Sequence, residues 1–123
     1  MSDGRGRIHI GIGGWTFPPW RGVFYPKGLP HKAELAYAAQ HLTGIEVNGT
    51  FYRLQSPETF AHWHDEAPDG FVFALKGSRF ITNRRVPAEA GPAPVMPRDV
   101  FLFVISGAKQ RNPAAAMALI SRP

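Results

Sequence analysis

Residues 44–53, Gly44-Ile45-Glu46-Val47-Asn48-Gly49-Thr50-Phe51-Tyr52-Arg53, concentrate the side chains of this chain that can do chemistry. They read as a short buried strand whose outgoing end carries a carboxylate, an amide, two aromatic rings and a guanidinium. A second apolar run, Phe71 to Lys76, ends the same way, in Lys76-Gly77-Ser78-Arg79-Phe80. Strands that deliver polar groups at their C-terminal ends are how α/β folds build sites. Alternation puts Glu46 and Asn48 on one face of their strand and Ile45 and Val47 on the other. If the two strands are neighbours, Lys76 joins Glu46 and Asn48, with His9, Gly11 and Gly13 on the same surface. A lone charge is costly to bury, so Glu46 and Lys76 should pair or bind something. Two readings stay open. Glu46 is a general base or metal ligand beside a lysine that holds an anion, or the two form a structural ion pair inside the fold.

Arg53 and Arg79 follow the two strands, each beside aromatic residues. With Ser78 and the Gly77 backbone they suit a phosphate or carboxylate; the alternative is that they cap helix ends or stay solvated. Trp15, Phe17, Trp20, Phe24 and Tyr25 crowd the loop after the first strand. They either wall a pocket or close the fold by packing, and packing is the favoured reading. Gly11-Ile12-Gly13-Gly14 lacks the spacing of a dinucleotide loop. His62 and His64 stand two apart and point to different sides of a helix, so no histidine pair has metal-ligand spacing. No nucleophile elbow or phosphate loop occurs, and the residues name no cofactor.

Several elements must position these groups. Ile8, Ile10 and Ile12 alternate with His9, Gly11 and Gly13, the period of a strand with one apolar face. Lys32 to Leu42 is an Ala-rich helix with Leu35, Ala38 and Leu42 on one stripe, and Gly44 suits its C-terminal stop. Strand two covers Ile45 to Asn48. Ser56, Pro57 and Glu58 open a second helix, whose buried stripe is Phe60, Trp63 and Ala67. Pro68-Asp69-Gly70 is a turn. Phe71 to Lys76 is almost continuously apolar, as strands buried on both faces of a parallel sheet are. The β-α-β-α-β order predicts a parallel sheet with right-handed crossovers.

A chain of 123 residues with 44% apolar content suggests one folded domain. It has no cysteine, which excludes disulfides and thiol catalysis. No apolar leader or long apolar run occurs, so a cytoplasmic protein with no membrane partner is expected. The net charge of +5 is uneven: residues 1–83 carry +1 and residues 84–123 carry +4. The basic excess therefore lies away from the strands and is poor evidence for a nucleic-acid groove. Six of the twelve prolines fall in residues 84–123. That segment reads as a Pro/Arg-rich, irregular or disordered tail, with a short strand over 100–105 and a helix over 113–120 as its only candidate elements. The strand is expected to pair at an edge or with nothing.

The blocks Ile10-Gly11-Ile12-Gly13-Gly14-Trp15, Trp20-Arg21-Gly22-Val23-Phe24-Tyr25-Pro26, Ile45 to Arg53 and Phe71 to Thr82 together resemble the YecE-like family, the domain of unknown function numbered seventy-two. The resemblance covers roughly residues 8–82. It implies a partial TIM-type (β/α) barrel, its first three βα units in residues 1–83, with a site at the barrel mouth. There it would set Trp15, Glu46, Asn48, Phe51, Tyr52, Arg53, Lys76, Ser78 and Arg79. The family has no assigned reaction, so the expected ligand, a small phosphate-bearing anion, rests on the basic residues. The alternatives are a nucleic-acid-binding module and a non-functional fragment. Asn83 stands where the family usually has a histidine, and residues 84–123 resemble nothing in that family. A full barrel takes about 250 residues. A truncated form is therefore expected, with an open edge that aggregates or needs a partner chain.

Overall fold

In the computed structural model, which describes residues 5–77, 99–105 and 108–122, the alternating run near the N-terminus forms β1 (Ile8–Gly13), an inner strand. β2 (Gly44–Val47) lies parallel on one side, with Gly11 opposite Gly44 and Gly13 opposite Glu46. β3 (Val72–Leu75) continues the sheet beyond β2, with Glu46 opposite Ala74. β4 (Val100–Val104) lies parallel on the other side of β1, where Ile8 faces Val100 and Ile12 faces Val104. Among the described residues the order is β3-β2-β1-β4 in one four-stranded sheet.

Among the described residues the helices are α1 (Glu34–His41), the short α2 (Gly49–Tyr52), α3 (Pro57–Glu66) and α4 (Asn112–Ile120). Ser56 caps α3 as its sequence predicts: the side-chain oxygen accepts from the Thr59 N–H at 3.2 Å, with Pro57 in the first turn. Gly70, at φ 83°, makes the turn into β3 that a residue with a Cβ resists. Ile10, Ile12, Ile45 and Val47 point to one side and are buried under Leu35, Ala38 and Leu42 of the α1 region and Ala116 of α4. Burying each such aliphatic side chain contributes roughly 1.5–3 kcal/mol. Trp20, Phe24 and Tyr25 extend this core, so the aromatic loop closes the fold by packing.

The opposite sheet face carries glycines and three rings, those of His9, Phe101 and Phe103. A Cβ at Gly11 would stand 1.7 Å from the Gly44 carbonyl oxygen. Phe101 stacks on the buried His9, with centroids 4.9 Å apart. Phe103 lies across β1, its ring edge 3.4 Å from where a Gly44 Cβ would be. Gly44 therefore opens β2 as the floor for a ring. α1 ends instead at Leu42, whose N–H donates to the Ala38 carbonyl.

Two expectations change. The predicted helix over 32–42 begins as a 3-10 turn, His31–Ala33, and becomes α-helical only at Glu34. Phe71 to Lys76 is not enclosed on both faces: Val72, Phe73 and Ala74 are half-buried and Leu75 is exposed, because β3 is an edge strand among the described residues. The strand and helix expected near the C-terminus are present, and the strand takes an edge of the described sheet, one of its two expected placements. β4 pairs with β1 along its length, and α4 packs its Ala116 into the common core. The break expected at residue 83, and the Pro/Arg-rich run 84–98, lie outside the described residues. Among the described residues no helix is long and apolar enough to cross a membrane.

Candidate functional site

The outgoing ends of the parallel strands gather on one side of the molecule. β1 leaves the sheet through Gly14, at φ 70°, whose N–H donates to the Glu46 carbonyl at 2.7 Å. β2 ends at Val47, and the chain turns at once into α2. The buried Thr50 hydroxyl then ties two strand ends together, lying 2.7 Å from the Lys76 carbonyl and 3.1 Å from that of Val47. The Lys76 N–H adds a bond to the Val47 carbonyl at 3.0 Å. Lys76 thus leaves the sheet at a point held by three contacts. Its ammonium lies 4.5 Å from the centre of the Phe51 ring.

A second lysine arrives from the far end of the chain. Lys109 begins the 3-10 turn Lys109–Arg111 that leads into α4. Its carbonyl accepts from the Trp20 indole N–H at 2.8 Å, and its ammonium lies 4.7 Å from the Phe17 ring centre. Each lysine is therefore steered by an aromatic face, an attraction of about 0.5–1 kcal/mol at exposed positions.

Between these groups lies a cleft of about 400 Å³, lined by Gly13, Gly14, Thr16, Glu46, Asn48, Lys76, Ile105 and Lys109. Gly13 leaves room for the carboxylate, since a Cβ there would stand 3.1 Å from Glu46 Oε2. Neither lysine forms an ion pair with a described carboxylate, and none joins Glu46 to Lys76. Two lysines and one glutamate therefore line the same cleft, side chains of the types that hold an anion and accept a proton. Among the described residues no three of the His, Asp and Glu side chains gather to hold a metal ion.

A second cleft of about 390 Å³ adjoins the first and shares Gly14 and Thr16 with it. Trp15, Val47, Gly49, Gln55 and Trp63 complete its lining. The Trp15 and Trp63 rings meet edge to face, with centroids 5.1 Å apart. The Trp15 carbonyl accepts from the Tyr25 hydroxyl, and burial, followed by the Glu34 charge, pushes that hydroxyl above its ordinary pKa. Glu34, itself 1% exposed, accepts from Arg21 Nη2 at 3.1 Å.

Of the residues singled out in the sequence, Glu46, Asn48 and Lys76 line the first cleft and Trp15 the second. Phe51 lies under the Lys76 ammonium. Tyr52 and Arg53 line neither cleft. The chain coils into α2 instead of running on extended, and both side chains are exposed. Ser78 and Arg79 lie outside the described residues. Thr16, Thr50 and Lys109 were missed. Lys109 comes after the apolar run Val100 to Ile105 as Lys76 comes after β3, and the same reading of a strand's outgoing end applies to it.

The family model "Protein of unknown function DUF72" matches residues 9–120. UPF0759 protein YecE of Escherichia coli (strain K12) is 30% identical over 77 residues, covering 63% of this chain and 26% of that protein. UPF0759 protein YunF of Bacillus subtilis (strain 168) is 28% identical over 78 residues, covering 63% of this chain and 27% of its own length. The match spans about a quarter of these curated relatives. No solved structure matches the chain. The family match reaches past residue 82 and takes in β4 and α4, against the expectation that the C-terminal residues are unrelated. The chain belongs to the DUF72 family of proteins of unknown function.

Proposed function

We propose that the cleft at the strand ends binds a small phosphate-bearing anion between Lys76 and Lys109, with Glu46 beside it as a proton acceptor. One observation carries this reading: two lysines from distant parts of the chain line a single cleft, and neither has a carboxylate partner among the described residues. Lysine suits phosphate as a point charge. The glycines at 13 and 14 let a ligand approach the backbone closely. Glu46 keeps the empty cleft from being uniformly positive and stands where a ligand hydroxyl can give up a proton.

Calorimetric titration of inorganic phosphate and pyrophosphate tests the reading. Lys76→Ala and Lys109→Ala should each weaken binding by on the order of tenfold, since a charged hydrogen bond contributes about 1.5–3 kcal/mol. Affinity should also fall as salt rises. Unchanged affinity in both variants removes the proposal.

A further inference from the structure

We infer that the ligand is a phosphate ester carrying a flat ring, of the size and kind of a mononucleotide, with its ring in the cleft of Trp15 and Trp63. This rests on the anion reading above and extends it to the other half of the molecule bound. The two clefts adjoin, because Gly14 and Thr16 line both. The wall between them is low: Gly14 has no side chain, and a Cβ there would meet nothing within 4 Å. A molecule bound by its anionic end beside Lys76 and Lys109 would reach the aromatic cleft across Gly14.

That cleft is prepared for a ring. The Trp15 and Trp63 planes stand at 80° to each other and form a corner with one face and one edge. Trp63 is held by Phe73, centroids 6.3 Å apart at 30°, and by Phe60 at 5.3 Å. Trp15 is held through its carbonyl by the Tyr25 hydroxyl. Gln55 stands at the same cleft with its amide nitrogen engaged by the Arg53 carbonyl at 3.4 Å, leaving Oε1 as an acceptor for a ring amino group. Indoles backed in this way keep their positions without a ligand, so stacking costs little ordering. A base has a flat π-face and edge donors, and both features have a counterpart here.

The test compares inorganic phosphate, ribose 5-phosphate, adenosine and adenosine monophosphate, titrated into the full chain and followed by tryptophan fluorescence and calorimetry. Adenosine monophosphate should bind at least about tenfold more tightly than ribose 5-phosphate, the increment that base stacking on an aromatic side chain commonly supplies. Gly49→Leu provides the block. A Cβ at Gly49 meets nothing within 4 Å and Gly49 lines the aromatic cleft, so the larger side chain is expected to take up space there. It should reduce adenosine monophosphate to the affinity of ribose 5-phosphate and leave inorganic phosphate unchanged, which also shows that the variant is folded. Gln55→Ala should lower adenosine monophosphate binding and spare ribose 5-phosphate. Equal affinity for all three phosphates in the unmodified chain overturns the ring inference and leaves the anion reading standing. Adenosine binding as tightly as its monophosphate overturns the joint ligand. No binding by any phosphate removes both.

Discussion

The Trp20 indole N–H donates to the main-chain carbonyl of Lys109, 2.8 Å away and 89 positions along the chain. Trp20 is 1% exposed and sits among Phe17, Phe24 and Tyr25. The bond joins the aromatic loop after β1 to the turn before α4, and so fixes where the second ammonium enters the cleft. Trp20→Phe keeps most of the ring and removes the donor. It should cost roughly 1–3 kcal/mol of stability, because the Lys109 carbonyl keeps only the Asn112 N–H as donor and the smaller ring leaves a space in the core. Phosphate affinity should fall with it. Urea denaturation and a phosphate titration check both parts, and an unchanged affinity would show that Lys109 is not held by this bond.

Thr50 does the corresponding work for Lys76. Thr50→Val keeps the shape and deletes the hydroxyl that reaches the Val47 and Lys76 carbonyls. A loss of about 1–2 kcal/mol is expected, with Thr50→Ser restoring most of it. Equal stability of Thr50→Val and the unmodified chain would remove this role.

Two glycines should respond in opposite ways. Gly11→Ala drives a Cβ to within 1.7 Å of the Gly44 backbone oxygen, so β1 and β2 must separate where they pair. Destabilisation of about 3 kcal/mol or more is expected, as for severe overpacking. Gly49→Ala meets open space and should be neutral, or stabilising by up to about 1 kcal/mol through a stiffer unfolded chain. Paired thermal melts compare them directly, and similar melting temperatures would contradict the sheet geometry.

Asp99 adds a pH dependence whose sign is set by its partners. The backbone N–H of Arg7 donates to its Oδ1 at 2.7 Å, and His9 Nε2 lies 3.4 Å from Oδ2. The Arg7 bond first, and His9 after it, hold the Asp99 carboxyl below the usual aspartate range. A depressed folded value means that its stabilising effect is present above the unfolded aspartate pKa, near about 3.9. The effect is lost as pH falls through the folded value. Asp99→Asn should therefore melt closer to the unmodified chain at pH 3 than at pH 7. A gap that stays constant across that range would show that the carboxylate does not contribute in this way.

Glu46 divides binding from chemistry. It lines the same cleft as Lys76 and Lys109, and on the proposed reading its charge opposes an incoming anion. Glu46→Gln should bind phosphate a few-fold more tightly, while any turnover that needs a proton acceptor should fall by about a hundredfold or more. Weaker phosphate binding in Glu46→Gln would place the carboxylate in direct contact with the ligand.

Local order along the chain is legible in the residues themselves. Alternation in β1 and β2 sets Ile10, Ile12, Ile45 and Val47 apart from His9, Gly11, Gly13 and Glu46, and the sheet keeps that division. The Ser56-Pro57 start of α3 and the Gly70 turn rest on the same short-range sterics and hydrogen bonds. What misleads is the extent of each pattern. Nothing in Gly49 to Arg53 announces a single helical turn, and that turn is what takes Tyr52 and Arg53 away from the cleft.

The type and facing of each strand, and with them the placing of Glu46, were determined by the sequence alone, because a side chain's face depends only on its immediate neighbours. The pairing of β4 with β1, the arrival of Lys109 beside Lys76, and the meeting of Trp15 with Trp63 were decided by the tertiary structure. Each of these joins residues dozens of positions apart. Such contacts depend on which strand edge is free and which apolar faces remain to be covered, and no local period records that.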